Sequence, residues 1–385
     1  MKKILTVLVF ILLFVPLLNV YADNDNPDIY SDDFMQYYIL EHLGHGYSYI
    51  ENSYDVVETA EHKGVISHDD RTWIPLKDKN GQKIILEYNG AEYTKGKRKV
   101  PNSFTYTTGE KLYVTAISGS CGFMEFDLDP ESKYLKLADN VVFSKDGKRL
   151  MSYARYDGRE TYKIPDGTEI IDGNAFYKCN NIKEISVPDS VREINNAFWA
   201  MDSLEKINIP PLVEALDGAF TFNYKLNEVH IPPDSKLKKI VNSAFVNTEI
   251  SELTLPSFDV EIDKDVFVGC NEKNCVTLKS YVQPDASAEQ VSSGSYRIKW
   301  DKISNASYYE VYQKKKDGTY KLLKTVKGNS IKINKLKSGK KYIFAVKPYA
   351  EIKACGDGGQ YCYLDLPEYF TVEGTMSEDV TVDLK

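Results

Sequence analysis

Four of the five histidines lie before residue 70: His42, His45, His62 and His68. Glu41-His42-x-x-His45 would set two imidazoles on one helical face, a spacing that a divalent metal can use. Yet no His-Glu-x-x-His stands there, and Gly44 and Gly46 interrupt any helix. Surface histidines are expected, and no metal site. The 56 Asp and Glu residues make chance carboxylate pairs inevitable, so no acid/base couple is assigned from spacing. No G-x-S-x-G elbow, phosphate loop or dinucleotide fingerprint occurs. Cys179 and Cys270 each sit three residues beyond a Phe, and Cys121 lies near a similar place. That periodicity marks core thiols, because a free Cys packs as a small hydrophobe. Cys355 with Cys362 is the expected disulfide, and Cys270 with Cys275 is an alternative that an exported chain also permits. Neither a catalytic set nor a cofactor is expected.

The N-terminus explains why export is expected. Met1-Lys2-Lys3 is cationic, Ile4 to Leu18 is nearly all apolar, and Val20-Tyr21-Ala22 supplies a cleavage site. This is the layout of a signal peptide over residues 1–22. Its apolar core falls short of the ~20 residues that a spanning helix needs, and no later segment is apolar enough to span. Loss of two lysines with this segment makes the net charge of −8 more negative, which disfavours phosphate backbones and hence nucleic acid.

The elements that would position any site come from an internal repeat. Pro165, Pro188, Pro210, Pro232 and Pro256 are spaced 23, 22, 22 and 24 residues apart. Phe176, Phe198, Phe220, Phe245 and Phe267 are spaced 22, 22, 25 and 22, each but the last following an Ala. Between the two series runs an L-x-x-L-x-L pattern, as in Leu204/Ile207/Ile209 and Ile250/Leu253/Leu255. The last two apolar positions alternate with polar ones, as in a strand with one buried face. Pro then ends the strand, since it has no N–H to donate. One coil cannot bury its own apolar face, so the coils must stack into a solenoid.

The Ala-Phe…Leu-x-x-Ile-x-Ile-Pro coil resembles the BspA-like leucine-rich repeats of bacterial surface and secreted proteins. Phe123/Phe126/Leu128 looks like an earlier coil, and Asn140 to Gly147 like a hairpin with Asp-Gly at its turn. The resemblance covers 112–280 and implies a curved parallel sheet for recognition of extracellular protein or glycan. Two polar rows would face solvent on its concave side. One is Glu184, Lys206, Glu228 and Glu252; the other is Ser186, Asn208, His230 and Thr254. They are the candidate ligand-binding residues. They contain none of the Trp, Tyr and Arg that dominate interface energetics, so Trp199, Phe222 and Tyr224 on loops compete with them.

From about Ser287 short alternating segments follow one another: Tyr296 to Trp300, Tyr308 to Gln313, Lys321 to Val326 and Tyr342 to Val346. Such spacing signals a sandwich. Trp300, Leu336 and Tyr342 resemble the core tryptophan and tyrosine corner of a fibronectin type III domain over 287–385. The stretch Glu351 to Met376, with Tyr361, Tyr363 and Tyr369, departs from that family. A spacer role is favoured for the module over use of this stretch as a binding loop.

Residues 23–111 resemble nothing recognisable; Asp33 to Leu43 could form a helix, and Lys83 to Tyr88 and Lys111 to Ala116 read as strands. The expected architecture is therefore mainly β. It is a BspA-like leucine-rich-repeat solenoid followed by a fibronectin type III sandwich, with a small α+β N-terminal region. The expected function is that of a monomeric, secreted or surface-associated adhesion protein without catalysis. Its alternatives are a hydrolase with chemistry in 23–111 and a structural envelope spacer.

Overall fold

The computed structural model describes residues 54–56, 66–68, 71–78, 83–88, 97–105, 111–117, 125–155, 157–194, 196–271, 276–358, 361, 363–364 and 366–384. The expected signal peptide, the helix over 33–43, His42, His45, His62, Cys121, Cys275 and Cys362 lie outside them. Every regular element among the described residues is a strand.

The repeat winds as its apolar spacing requires. Thr161–Lys163, Glu184–Ser186, Lys206–Asn208 and Glu228–His230 form one parallel ladder. Ile185, Ile207 and Val229 come into register on it. On the return side Ala215–Asp217, Lys239–Val241 and Glu261–Ile262 form a second parallel ladder, with Leu216, Ile240 and Ile262 in register. A third ladder, from Arg149–Tyr153 through Ile170–Ile171 to Glu193–Ile194, precedes it.

Between the faces the phenylalanines stack: Phe176 on Phe198 at 5.3 Å, Phe198 on Phe220 at 5.6 Å, Phe220 on Phe245 at 5.4 Å and Phe245 on Phe267 at 6.0 Å. The Ala before each Phe but Phe267 keeps the turn narrow enough for backbone ladders there too. Phe176 N–H donates to Ala197 at 2.9 Å, and Phe220 N–H to Ala244 at 2.9 Å. Backbone at positive φ recurs at these turns, with Asn174 at 60°, Asn196 at 48° and Gly218 at 56°. Asn and Gly tolerate that region best.

The expected hairpin forms between Val141–Ser144 and Arg149–Tyr153, and Gly147 takes φ 80° at its turn. It joins the solenoid through Arg149–Ile170 pairing. Upstream, Glu125–Leu128 pairs in parallel with Lys97–Val100 rather than with the array's ladder. Lys97–Val100 apart, the strands from Tyr54–Val56 to Lys111–Ile117 make a separate six-stranded sheet.

At the other end the solenoid does not stop at a cap of its own. Thr277–Ser280 pairs in parallel with Glu252–Leu255 on one side and with Tyr369–Glu373 on the other. Tyr369–Glu373 then pairs antiparallel with Lys340–Lys353, which continues to Tyr308–Lys314 and Tyr320–Val326. Solenoid and C-terminal module thus share one sheet. The second sheet of the module is Ala286–Ser292, Ser295–Trp300 and Ser330–Ile333. Trp300, Tyr309, Phe344 and Val382 fill the space between. Tyr342 accepts the Lys337 N–H on its hydroxyl at 3.1 Å, which is the tyrosine corner read from the sequence. Within the Glu351 to Met376 stretch Val372 is buried in the solenoid core, as is Ala350 just before it, and Ile352 and Phe370 pack against it.

Candidate functional site

The ladder that carries the polar rows brings six of the eight candidate residues together. Glu184, Lys206 and Glu228 lie side by side on adjacent strands, and Asn208 faces His230 in register. Ser186 stands on the same ladder, opposite Lys163. Glu252 and Thr254 belong to the next ladder, opposite Thr277 and Lys279. The break falls where the repeat lengthens, at the 24-residue proline spacing and the 25-residue phenylalanine spacing. The rows also run further than the apolar motif marks: Thr161 and Lys163 precede them, and Thr277 and Lys279 follow.

Their chemistry is largely satisfied from within. Lys206 Nζ sits 3.0 Å from Glu184, which raises the lysine's pKa, and Lys279 pairs with Glu252. The Asn208 amide donates to the Val187 carbonyl at 2.9 Å and accepts the Val187 N–H at 3.3 Å. Ser186, Glu228 and His230 are exposed. Exposed ion pairs of this kind contribute little, and the face offers hydrogen-bonding groups without an apolar anchor.

A second feature runs along the loops that leave the Phe ladder. Tyr177 and Trp199 lie ring on ring at 4.9 Å. Trp199 meets Phe222 at 6.1 Å, and Phe222 meets Tyr224 at 6.2 Å. The first three are half-exposed and Tyr224 is 53% exposed. Arg155 holds its guanidinium 5.1 Å over the Tyr177 ring and donates to the Tyr177 carbonyl at 3.2 Å; Lys178 Nζ lies 5.1 Å from the same ring. The four aromatics form one ridge across successive coils. Sequence reasoning named Trp199, Phe222 and Tyr224 but missed Tyr177 and Arg155. The signal for Tyr177 was present, because it follows Phe176 as Trp199 follows Phe198.

The two repeat thiols are shielded by their environment. Cys179 and Cys270 are buried. Burial raises the Cys179 pKa far above its ordinary value and pushes Cys270 up to about 11. The Cys270 thiol donates to the Phe245 carbonyl at 3.0 Å and lies 3.3 Å from the Thr248 hydroxyl.

One ionic cluster closes the first coil. Arg159 pairs with both Asp157 and Asp139, and its guanidinium lies 5.2 Å over the rings of Tyr153 and Tyr162. Asp157 also accepts the Tyr153 hydroxyl at 3.1 Å. Burial alone would raise the Asp157 pKa, but Arg159 and Tyr153 outweigh it and hold the carboxyl below its ordinary value. Every partner is taken within the chain, so the cluster reads as a lid on the core rather than as a proton-transfer site. Among the described residues no group of three His, Cys, Asp or Glu is arranged to hold a metal ion. No helix among them is long and apolar enough to cross a membrane.

Residues 152–274 match the family model described as BspA type leucine rich repeat region, in six copies. The array is a BspA-type leucine-rich-repeat region. The BspA-type match begins on the hairpin strand Arg149–Tyr153. Residues 280–348 match the C-terminal domain of GH85 endohexosaminidases. No curated protein matches the chain. A solved leucine-rich repeat protein from Eubacterium ventriosum is 17% identical, covering 45% of this chain and 46% of its own, with a TM-score of 0.34. A leucine rich cell surface protein from Faecalibacterium prausnitzii is 20% identical, covering 67% and 60%, with a TM-score of 0.34. The chain thus spans roughly half the length of these two. An Fn3-like protein from Clostridium thermocellum is 18% identical, covering 26% and 88%, with a TM-score of 0.18, and neighbours of its kind match the C-terminal part.

Proposed function

We propose that the protein is exported and acts outside the cell or at its surface. There it is a monomeric binding or adhesion protein that takes a protein or glycan ligand on the BspA-type array and performs no catalysis. The observation that carries this reading is the ridge Tyr177–Trp199–Phe222–Tyr224 with Arg155 against it. Aromatic side chains on a rigid scaffold are the usual anchors of an interface, and Arg155, itself buried, braces Tyr177. The polar rows from Glu184 to Thr254 form an accessory face, with charges paired along it.

The ridge favours a protein ligand. Tyr177 and Trp199 cover each other's inner faces, so a sugar ring finds edges there rather than open planes. The C-terminal module favours a glycan, because the domain it matches accompanies endohexosaminidases. That match is to a C-terminal domain and brings a module, not a reaction.

The test is surface plasmon resonance of the full chain over immobilised mucin, collagen and fibronectin. Trp199→Ala and Tyr177→Ala should each weaken capture about 30-fold, the scale of a hot-spot residue. Glu228→Ala should change it less than about threefold. Wild-type binding by both ridge variants would refute the assignment.

A further inference from the structure

We propose that the end of the C-terminal sandwich farthest from the solenoid is a second binding surface, for a linear acidic polysaccharide. The inference does not rest on the ridge and would survive its failure. It begins with charge. The chain carries −8 overall, yet residues 314–341 hold eleven lysines, no arginine and one carboxylate, Asp317.

The elsewhere-paired lysines set the contrast. In the solenoid Lys148, Lys183, Lys206, Lys238, Lys239 and Lys279 each lie within 4.0 Å of a glutamate. In the 314–341 segment only Lys314 is so paired, to Asp379 at 2.7 Å. The other ten are exposed, and no ion pair of the module includes them among the described residues. Asp317 is occupied by the Thr319 N–H at 2.9 Å, and Asp383 faces Lys341 across the sheet.

Topology gathers these charges at one place. Strand Tyr308–Lys314 starts beside the solenoid, where Ser307 bonds Tyr349, and ends about 20 Å away at Lys314. Strand Lys340–Lys353 runs back from that far end to bury Ala350 in the solenoid core. Two of the three turns between therefore share the far end, with Lys315 and Lys316 on one and Lys335 and Lys337 on the other. Lys321 and Lys324 extend the charge along Tyr320–Val326, the outermost strand of its sheet. Lysines guard sheet edges against unwanted pairing. That explains Lys321 and Lys324, but not the four on the turns.

The residue types select the ligand. Lysine is a hydrated point charge that imposes no bidentate geometry on its partner, so a flexible polymer with spaced anionic groups suits it. Single-stranded nucleic acid needs stacking aromatics, but here Tyr320 bonds Asp379 and Tyr342 receives the Lys337 N–H. A bilayer meets one plane, whereas these lysines wrap two turns and an edge that a flexible polymer can follow.

The experiment passes the full chain over immobilised heparin, a sulfated polysaccharide, with salt titration. Lys315→Gln, Lys316→Gln, Lys335→Gln and Lys337→Gln combined should weaken binding about 100-fold or more, at roughly a tenth to a third of the affinity kept per lysine. Lys321→Gln with Lys324→Gln, a pair on a different element, should weaken it about tenfold. The control set Lys148→Gln, Lys183→Gln, Lys238→Gln and Lys239→Gln removes equal charge and should retain binding. Equal loss in the control, full binding by the turn variant, or tighter binding to phosphatidylserine vesicles or single-stranded DNA at the same salt would overturn the proposal.

Discussion

Truncating Phe370 to alanine removes the ring that meets Phe267 edge-on at 5.8 Å over the last coil. Deleting a fully buried Phe costs about 3–5 kcal/mol. Phe370 is half-buried, so about half of that applies, with ~1 kcal/mol more for the lost aromatic pair. The expected destabilisation is about 2.5–3.5 kcal/mol. For a cooperative unit of this size that lowers the melting temperature by about 5–14 °C. The assay is thermal unfolding of the full chain with amide exchange followed at Phe245 and Val266. If solenoid and sandwich unfold as one unit, Phe370→Ala raises exchange in the last coils as well as in the sandwich. A cycle with Phe267→Ala should give a coupling of about 1 kcal/mol. Unchanged protection of the last coils, or additivity within ~0.3 kcal/mol, would refute the joint described here.

Two further outcomes follow. Asp157→Asn should destabilise the first coil at neutral pH and flatten the acid limb of stability. The native carboxyl titrates below its ordinary 3.8, so its contribution is present above that pH and fades as pH falls through the native value; urea titrations between about pH 5 and 2 check this. Cys270, pushed up to about 11 and buried, should react with a thiol reagent at pH 8 only as fast as its coil opens. Mass spectrometry of the labelled peptide against urea concentration reads it.

The coil was legible because its causes are local. Ile207, Ile209, Pro210 and Phe220 lie within one turn of the repeat, and the preceding coil supplies the matching set 22 residues earlier. The hairpin at Gly147 and the Tyr342 corner were legible for the same reason. The joint was not, because its partners are far apart: the Thr375 hydroxyl donates to the Ser280 carbonyl at 3.0 Å across 95 residues. Nothing in the alternation of Tyr369 to Glu373 says which strand it will join. The polar rows were found as a pattern, but their pairing, and the break before Glu252, depend on register between coils. The ridge was half-found, since exposure of Trp199 can be guessed from one coil while its stacking on Tyr177 needs two.

The parallel seam between Thr277–Ser280 and Tyr369–Glu373 has a consequence for growth of the array. Each internal coil offers the next the same edge, so a duplicated 22-residue unit can enter between existing coils and find partners on both sides. It cannot be appended after Ser280, where only the strand bearing Phe370 and Val372 fits. Lengthening by internal duplication would carry the sandwich outward by about 4.8 Å per coil, with its lysine-rich tip riding at the leading end.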